Sequence, residues 1–436
     1  MRLLRNCAPR LSSSLVQLPI CRQSTRNREL RERKLRTATM RPFIFLGIAS
    51  LCLCPALAQP SIQSTDKPQS PAQTRPDGEP RAPKLPPFPV QLEMRVPIAP
   101  TAFPSEGRYY LLYELHLTNF GPAPLPMNRI ELLDADASEG KPLVTFEAEQ
   151  LETMVQYVGG KAAANPKGSA VIAGGQSAII FMMAAFDHDS QIPRTVLHQV
   201  VIGDFIAEGA IITTNIPALR VLGPPLEGEN WLAADGPSND QDNHHRRGVI
   251  VFDGRPVISR RYAIDWKQVR DGVSFSGDSR DVRSYYSYDK PVLAVADGRV
   301  VAARDGLPNN VPGHGDAFHP GIPITLETVA GNTITLELGG GQFAYYMHLE
   351  PGSVRVKVGD RVRRGQILAR VGCTGDAREP HLHFEVTNSS KPLSGEGVPY
   401  LIDSYRSKGT NGMLELRTHE LPLDKSVVVF GEGHGK

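Results

Sequence analysis

His381 and His383 stand two residues apart in Gly372-Cys-Thr-Gly-Asp-Ala-Arg-Glu-Pro-His-Leu-His-Phe-Glu385, a segment whose second half reads as a strand. Side chains alternate across a strand, so both imidazoles share one face while Leu382 and Phe384 point into a core. Two imidazoles so placed can converge on one metal ion or one substrate atom. The competing reading, two polar residues on a solvated strand face, is weighed against what surrounds the pair.

Upstream lie Phe343-Ala-Tyr-Tyr-Met-His348-Leu, the run Val354 to Leu368, Tyr262-Ala-Ile-Asp265-Trp266 and Pro291-Val-Leu-Ala-Val-Ala-Asp-Gly-Arg-Val-Val301. In this order and at these spacings the segments resemble the LytM/lysostaphin-type zinc endopeptidases of the bacterial cell wall, over roughly residues 244 to 400. The resemblance implies a zinc-binding His and Asp from an HxxxD motif, a third ligand from the second His of HxH, and catalytic roles for the first His of HxH and for a His in a Tyr-x-His-Leu segment. Residue by residue, Asp265 and His383 take metal positions, and His348 and His381 take the catalytic ones. The first ligand does not carry over. Arg261 stands four residues before Asp265, and a guanidinium that stays protonated has no lone pair for zinc.

Asn243-His244-His245-Arg246 offers a replacement. Arg247–Phe252 and Pro256–Ile264 read as strands joined at Asp253-Gly254, and that pairing brings the two histidines opposite residues 262 to 264. Alternation then turns His244 or His245 toward Asp265 in either register, with His245 favoured. The bland alternative makes both part of a basic strand end with Arg246 and Arg247. Two His and one Asp on Zn²⁺ leave a fourth position open, as in catalytic rather than structural sites. The expected function is an exported zinc metalloendopeptidase cutting peptide stems or cross-bridges of peptidoglycan. A metal-free relative that regulates another cell wall hydrolase is the alternative, with Arg261 its best support. A lipoyl-type carrier, suggested by Val356–Leu368, lacks a lysine at a following hairpin tip.

The remaining features set the frame. Asp297-Gly298 reads as a type I′ turn and Gly339-Gly340-Gly341 as a hairpin turn. Thr374 could orient a histidine through its hydroxyl, and Glu379 could support one, though a solvated Glu379 is the simpler reading. The turn-rich stretch from Asp305 to Pro323 is expected to line a groove rather than form a second metal site from His314, Asp316 and His319.

The 436 residues, with 40 Gly and 37 Pro, suit several β-rich domains. Met40 to Ala58 has the charged start, apolar run and Ala-x-Ala end of a signal peptide, with Met40 as a candidate start and cleavage before Gln59. Residues 1–58 carry eleven Lys/Arg against two Asp/Glu, so losing them takes the whole-chain +2 to −7. That disfavours nucleic acid as a partner. Of five cysteines only Cys373 would remain, excluding an intrachain disulfide and suggesting a small buried thiol. The expected layout is a Pro-rich linker over 59–89, an all-β immunoglobulin-like sandwich over 90–223, a linker over 224–243, an antiparallel, barrel-sandwich-like peptidase domain over 244–400, and an extension over 401–436 adding an edge strand. The expected location is periplasmic or extracellular, with no membrane span once the signal is gone.

Overall fold

A computed structural model describes residues 88–137, 140–159, 170–409 and 412–431. The leader and nearly all of the Pro-rich linker lie outside them. Among the described residues no helix is long and apolar enough to cross a membrane.

The N-terminal part is built from β1 (Leu92–Arg95), β2 (Ala102–Ser105), β3 (Arg108–Asn119), β4 (Leu125–Met127), β5 (Arg129–Asp134), β6 (Val144–Glu147), α1 (Ala148–Met154), β7 (Val155–Tyr157), β8 (Ala170–Ile172), β9 (Ser177–Phe186), β10 (Thr195–Ile202) and β11 (Phe205–Thr213). One sheet runs β1-β3-β9-β7 with β2 beside β3, and the other runs β11-β10-β5-β6. Leu111, Tyr113, Leu115, Ile180 and Met182 from the first sheet meet Ile130, Leu132, Val196 and Val200 from the second, forming the core of a two-sheet sandwich. The immunoglobulin likeness expected from the sequence goes no further than this architecture.

The odd and even residues of β3 have separate destinations. Leu111, Tyr113 and Leu115 enter the sandwich core, whereas Tyr110 and Leu112 enter the core of the following domain. The same holds on β9, where Ile179 and Phe181 pack against Ile258. A strand buried on both faces needs a continuous apolar run, and Ala178-Ile-Ile-Phe-Met-Met-Ala184 supplies it. The β3–β9 sheet is therefore shared by two cores.

The second part continues with β12 (Val221–Leu222), β13 (Gly228–Ala234), β14 (Ile250–Phe252), β15 (Arg255–Val257), β16 (Ile264–Gln268), β17 (Pro291–Leu293), β18 (Gly298–Arg304), β19 (Asn332–Gly339), β20 (Gln342–Leu349), β21 (Arg361–Val362), β22 (Ile367–Arg370), β23 (Leu382–Thr387), β24 (Leu401–Lys408), β25 (Leu414–Glu420) and β26 (Val427–Phe430). Its main sheet runs β12-β24-β26-β13-β16-β23-β20-β19-β18-β21, with β25 on β24. All its pairings are antiparallel except β12 with β24.

Several expectations change here. The segment 224–243 contains β13, whose Trp231 is fully buried, because Glu-Asn-Trp-Leu-Ala-Ala is a half-apolar strand and no linker. From the C-terminal extension, β25 pairs with β24 alone and forms an edge strand, while β26 lies between β24 and β13, inside the sheet. Asp297-Gly298 joins no hairpin, since β17 pairs with β22 and β18 with β19. The Gly339 turn does close β19 on β20, with Gly340 and Gly341 at φ 62° and 73°, values that favour glycine.

Candidate metal and catalytic site

Strand pairing fixes the centre of the site. Asp265 on β16 lies opposite His383 on β23 and Ala234 on β13, and His383 also lies opposite Met347, one residue before His348. Asp265 is buried, and four imidazoles surround its carboxylate. His383 Nδ1 is 2.9 Å from Oδ1, His245 Nε2 3.3 Å from Oδ1, His381 Nε2 3.3 Å from Oδ2 and His244 Nε2 3.8 Å from Oδ2. The His348 ring centre is 4.9 Å from that of His381 and 5.9 Å from that of His383. All six expected site residues thus come together.

Second contacts fix most of these rings. Nδ1 of His245, His348 and His381 lies 2.8, 2.8 and 2.7 Å from the carbonyls of Asp235, Thr374 and Glu379. A carbonyl only accepts, so each Nδ1 carries the proton and each Nε2 keeps its lone pair. His383 is reversed, with Nδ1 toward Asp265 and Nε2 3.4 Å from Glu385, a fully buried carboxylate on the same strand face. The Thr374 hydroxyl is occupied elsewhere, by the Leu349 carbonyl and the Asn332 amide. His348 adopts φ 65°, a costly conformation for a non-glycine residue and one that clusters at functional sites.

The electrostatics follow from burial and from this crowding. Burial alone would raise the Asp265 carboxyl, but His381 and His245 outweigh it and hold it well below the usual carboxylate range. Burial brings His245 down to about 4. Burial, reinforced by His381 and His383, takes His348 well below its ordinary value. Burial also opposes a proton on His383, yet Asp265 and Glu385 more than reverse it, lifting this ring to about 9.

The donor set fits a zinc ion. Nε2 of His245 and Nε2 of His381 are buried beside Asp265 and hydrogen-bond to nothing, an arrangement that is costly unless something is bound there. Two donors on one tetrahedral zinc, at bonds of about 2.0–2.2 Å, lie roughly 3.3–3.5 Å apart, near the separations of His245 and His383 from Asp265. A tighter grouping by distance joins His244, His245 and Asp265, whose donor atoms lie within 4.8 Å of one another. His383 is the stronger third donor. It is buried and 2.9 Å from the carboxylate, whereas the His244 side chain is 53% exposed and already 3.1 Å from Asp235.

The route by which the histidine pair arrives differs from expectation. Phe252 does pair with Arg255 across Asp253-Gly254, but the hairpin ends at Ile250 and Val257. His244 and His245 lie in a turn, and Ser259–Tyr262 forms a 3₁₀ turn. The histidines reach Asp265 because the chain leaving β13 does so beside Asp265, and the Asp235 carbonyl then holds His245. Arg261 points away from the site, to Glu114 at 2.7 Å and Glu396 at 2.8 Å. Arg246 and Arg247 are no solvated strand end either: Arg246 is fully buried.

Above the site is a cleft of about 200 Å³ lined by Asp265, His348, His381, His383 and, as the sequence suggested for its loop, His314. His314, Asp316 and His319 do not gather as metal donors; among the described residues that grouping is confined to His244, His245 and Asp265. Glu379 is not solvated, pairing with Lys267 at 2.9 Å and accepting from Ser274 at 2.7 Å. Cys373 is buried, and burial pushes its thiol up. The residue missed by the sequence reading is Glu385. Its signal was available, since a carboxylate two residues after His383 falls on the same strand face.

Residues 281–394 match the model of peptidase family M23. Over that segment the chain resembles the LytM/lysostaphin type of that family. It is 35% identical over 139 residues to the glycyl-glycine endopeptidase ALE-1 of Staphylococcus capitis, covering 31% of this chain and 32% of that protein. It is 33% identical over 103 residues to the peptidoglycan DD-endopeptidase ShyB of Vibrio cholerae, covering 24% and 19%. The chain thus spans about a third or less of the length of these relatives. The catalytic domain of lysostaphin from Staphylococcus simulans is 23% identical, with 39% of this chain and 86% of that chain covered and a TM-score of 0.20. The family match contains His348, His381 and His383 and begins after Asp265.

Proposed function

We propose that this protein is an exported zinc metalloendopeptidase that hydrolyses peptide bonds in peptidoglycan, with His245, Asp265 and His383 as the metal ligands. The observation that carries the reading is the convergence of buried imidazole nitrogens on the Asp265 carboxylate, two of them without hydrogen-bond partners. The M23 match and the endopeptidase relatives support a cell wall hydrolase. Export rests on the sequence of residues 40–58 and on relatives that act on the wall.

Zinc held there would polarise a scissile carbonyl and activate water at neutral pH. His348 and His381 both line the cleft, each with Nδ1–H tied to a carbonyl. One can take a proton from water at Nε2, and the other, once Nε2 also carries a proton, can donate it as a hydrogen bond to the developing oxyanion. His348, kept neutral by burial, suits the accepting role. His244, half exposed at the cleft, is placed to meet the substrate. Paired charges at the cleft, Lys267 with Glu379 and Arg378 with Asp376, offer partners to the carboxylates and ammonium groups of a stem peptide.

The test is zinc per chain by elemental mass spectrometry on untagged protein purified without chelator. Close to one zinc per chain is expected. A chain that takes up none at micromolar zinc would refute the reading and favour a non-catalytic binding module.

A further inference from the structure

The turn that carries His245 is anchored in the sandwich as well as in its own domain, where Asn243 donates to the Gly236 carbonyl and the Asp235 carbonyl holds His245. Arg246, the next residue, meets the Glu114 carboxylate of β3 and donates to the carbonyls of Tyr113 (3.2 Å) and Met182 (3.0 Å). Arg247 donates to the carbonyls of Thr153 (2.7 Å) and Met154 (3.2 Å) and lies over the Phe181 ring at 4.2 Å. From the other side Arg261, four residues before Asp265, gives Nε and Nη2 to the same Glu114, at 3.1 and 2.7 Å to Oε2. Glu114 is nearly inaccessible, and its neighbours Leu112 and Leu115 are buried in different cores. One carboxylate of the N-terminal domain therefore ties down two of the three segments that bring donors to the site, those of His245 and Asp265.

We infer that Glu114 is a positioning residue for the metal site, setting through Arg246 and Arg261 the placement of His245 and Asp265. The inference rests on the reading of His245 as a ligand, and it makes the sandwich part of the site's scaffold rather than an accessory. The chemistry explains the residue types. Arginine at 261 cannot bind metal, but its planar fork can share a carboxylate with a second arginine, and Glu396 supplies the second negative charge. A ligand brought from a turn lacks the strand neighbours that fix His383. The Asp235 carbonyl is one hold on it, and Arg246 supplies a second from the sandwich.

The test compares the full-length protein with Glu114→Gln and with Val200→Ala, a buried change in the far sheet of the sandwich. Zinc affinity is measured by competition with a chromogenic chelator. Glu114→Gln is expected to weaken zinc by about 10- to 100-fold, the range for groups that orient metal ligands. Val200→Ala should lower Tm yet keep zinc affinity within about twofold, as expected for a distant, independent site. Hydrogen exchange on metal-free protein reads the same coupling without zinc, through the Arg247 and Gly248 amides bonded to Asn243 and His245. These amides should lose protection in Glu114→Gln and keep it in Val200→Ala. Equal protection in both variants overturns the inference, as does unchanged zinc affinity in Glu114→Gln. A parent without zinc would sink the proposed function, while the exchange result would still decide the role of Glu114. If Glu114→Gln does not fold, Arg246→Lys, which keeps the charge but not the fork, serves instead and should also lose zinc affinity and protection.

Discussion

His198 in the sandwich and His245 in the turn beside β16 are both fully enclosed, and burial brings both to about 4. Their neighbours differ. His198 has both ring nitrogens occupied, by the Tyr113 hydroxyl at 2.8 Å and the Ala210 carbonyl at 3.0 Å. His245 has Nδ1 occupied, while Nε2 faces a carboxylate and bonds to nothing. A depressed pKa therefore does not separate a structural histidine from one at the candidate site; an unspent nitrogen beside a buried anion does. The sandwich histidine has both nitrogens satisfied, whereas several histidines beside Asp265 and Glu385 each keep one open.

The largest test of this contrast removes the anion or the open nitrogen. Asp265→Ala, His245→Ala and His383→Ala should each weaken zinc by more than about 100-fold, beyond the loss typical of an orienting group, and activity should vanish with the metal. His198→Ala should leave zinc stoichiometry at the parental level; zinc loss there would erase the distinction. Next come His348→Ala and His381→Ala, which should lower kcat by about 10² to 10⁴ while zinc stays bound. Equal zinc loss in these two variants would merge the roles assigned to them.

Glu385→Gln should weaken zinc by about 10- to 100-fold, through loss of the partner of His383 Nε2. Chelator competition reads this directly, and an unchanged affinity would make Glu385 a core residue only. On the sandwich side, the His198 pKa is depressed on folding, so the unfolded chain takes up the proton first as pH falls. Stability from the neutral ring is complete above about 6.5 and is lost progressively down to about 4, a total of roughly 3 kcal/mol. Urea unfolding from pH 7 to pH 4 should show that slope reduced in His198→Gln. The smallest effect on metal is expected from His244→Ala, retaining about one zinc per chain by elemental analysis. A parent without zinc beside an Arg261→His variant with it would show that His245 never replaced the lost ligand.

Much of the site was legible because it lies on strands. The period of two placed His381 and His383 on one face, and the order of the segments pointed to Asp265 and His348. The failures lie where that period stops. His244 and His245 were expected on a strand, but the hairpin ends after three pairs, and a turn has no face to count along. Arg246, Arg247 and Arg261 were read as solvated or as a lost ligand. Sequence-distant Glu114, which neutralises two of them, cannot be matched to them by spacing. The apolar run on β9 is visible in the sequence, but spacing does not say that its two faces enter separate cores.

The strand order also has a consequence in time. β13, from whose end the site is hung, is held on one side by β26, nearly two hundred residues later in the chain. Loop closure over such a separation is slow, so the sheet under Asp265 should be among the last parts to assemble. The protein has two tryptophans, and both report on that junction. Trp231 lies opposite Val428, and Trp266 stands edge-on to Phe430 at 5.2 Å. During refolding, the late change in tryptophan fluorescence should coincide with the appearance of zinc binding; zinc uptake well before it would show that β13 is set without its last partner.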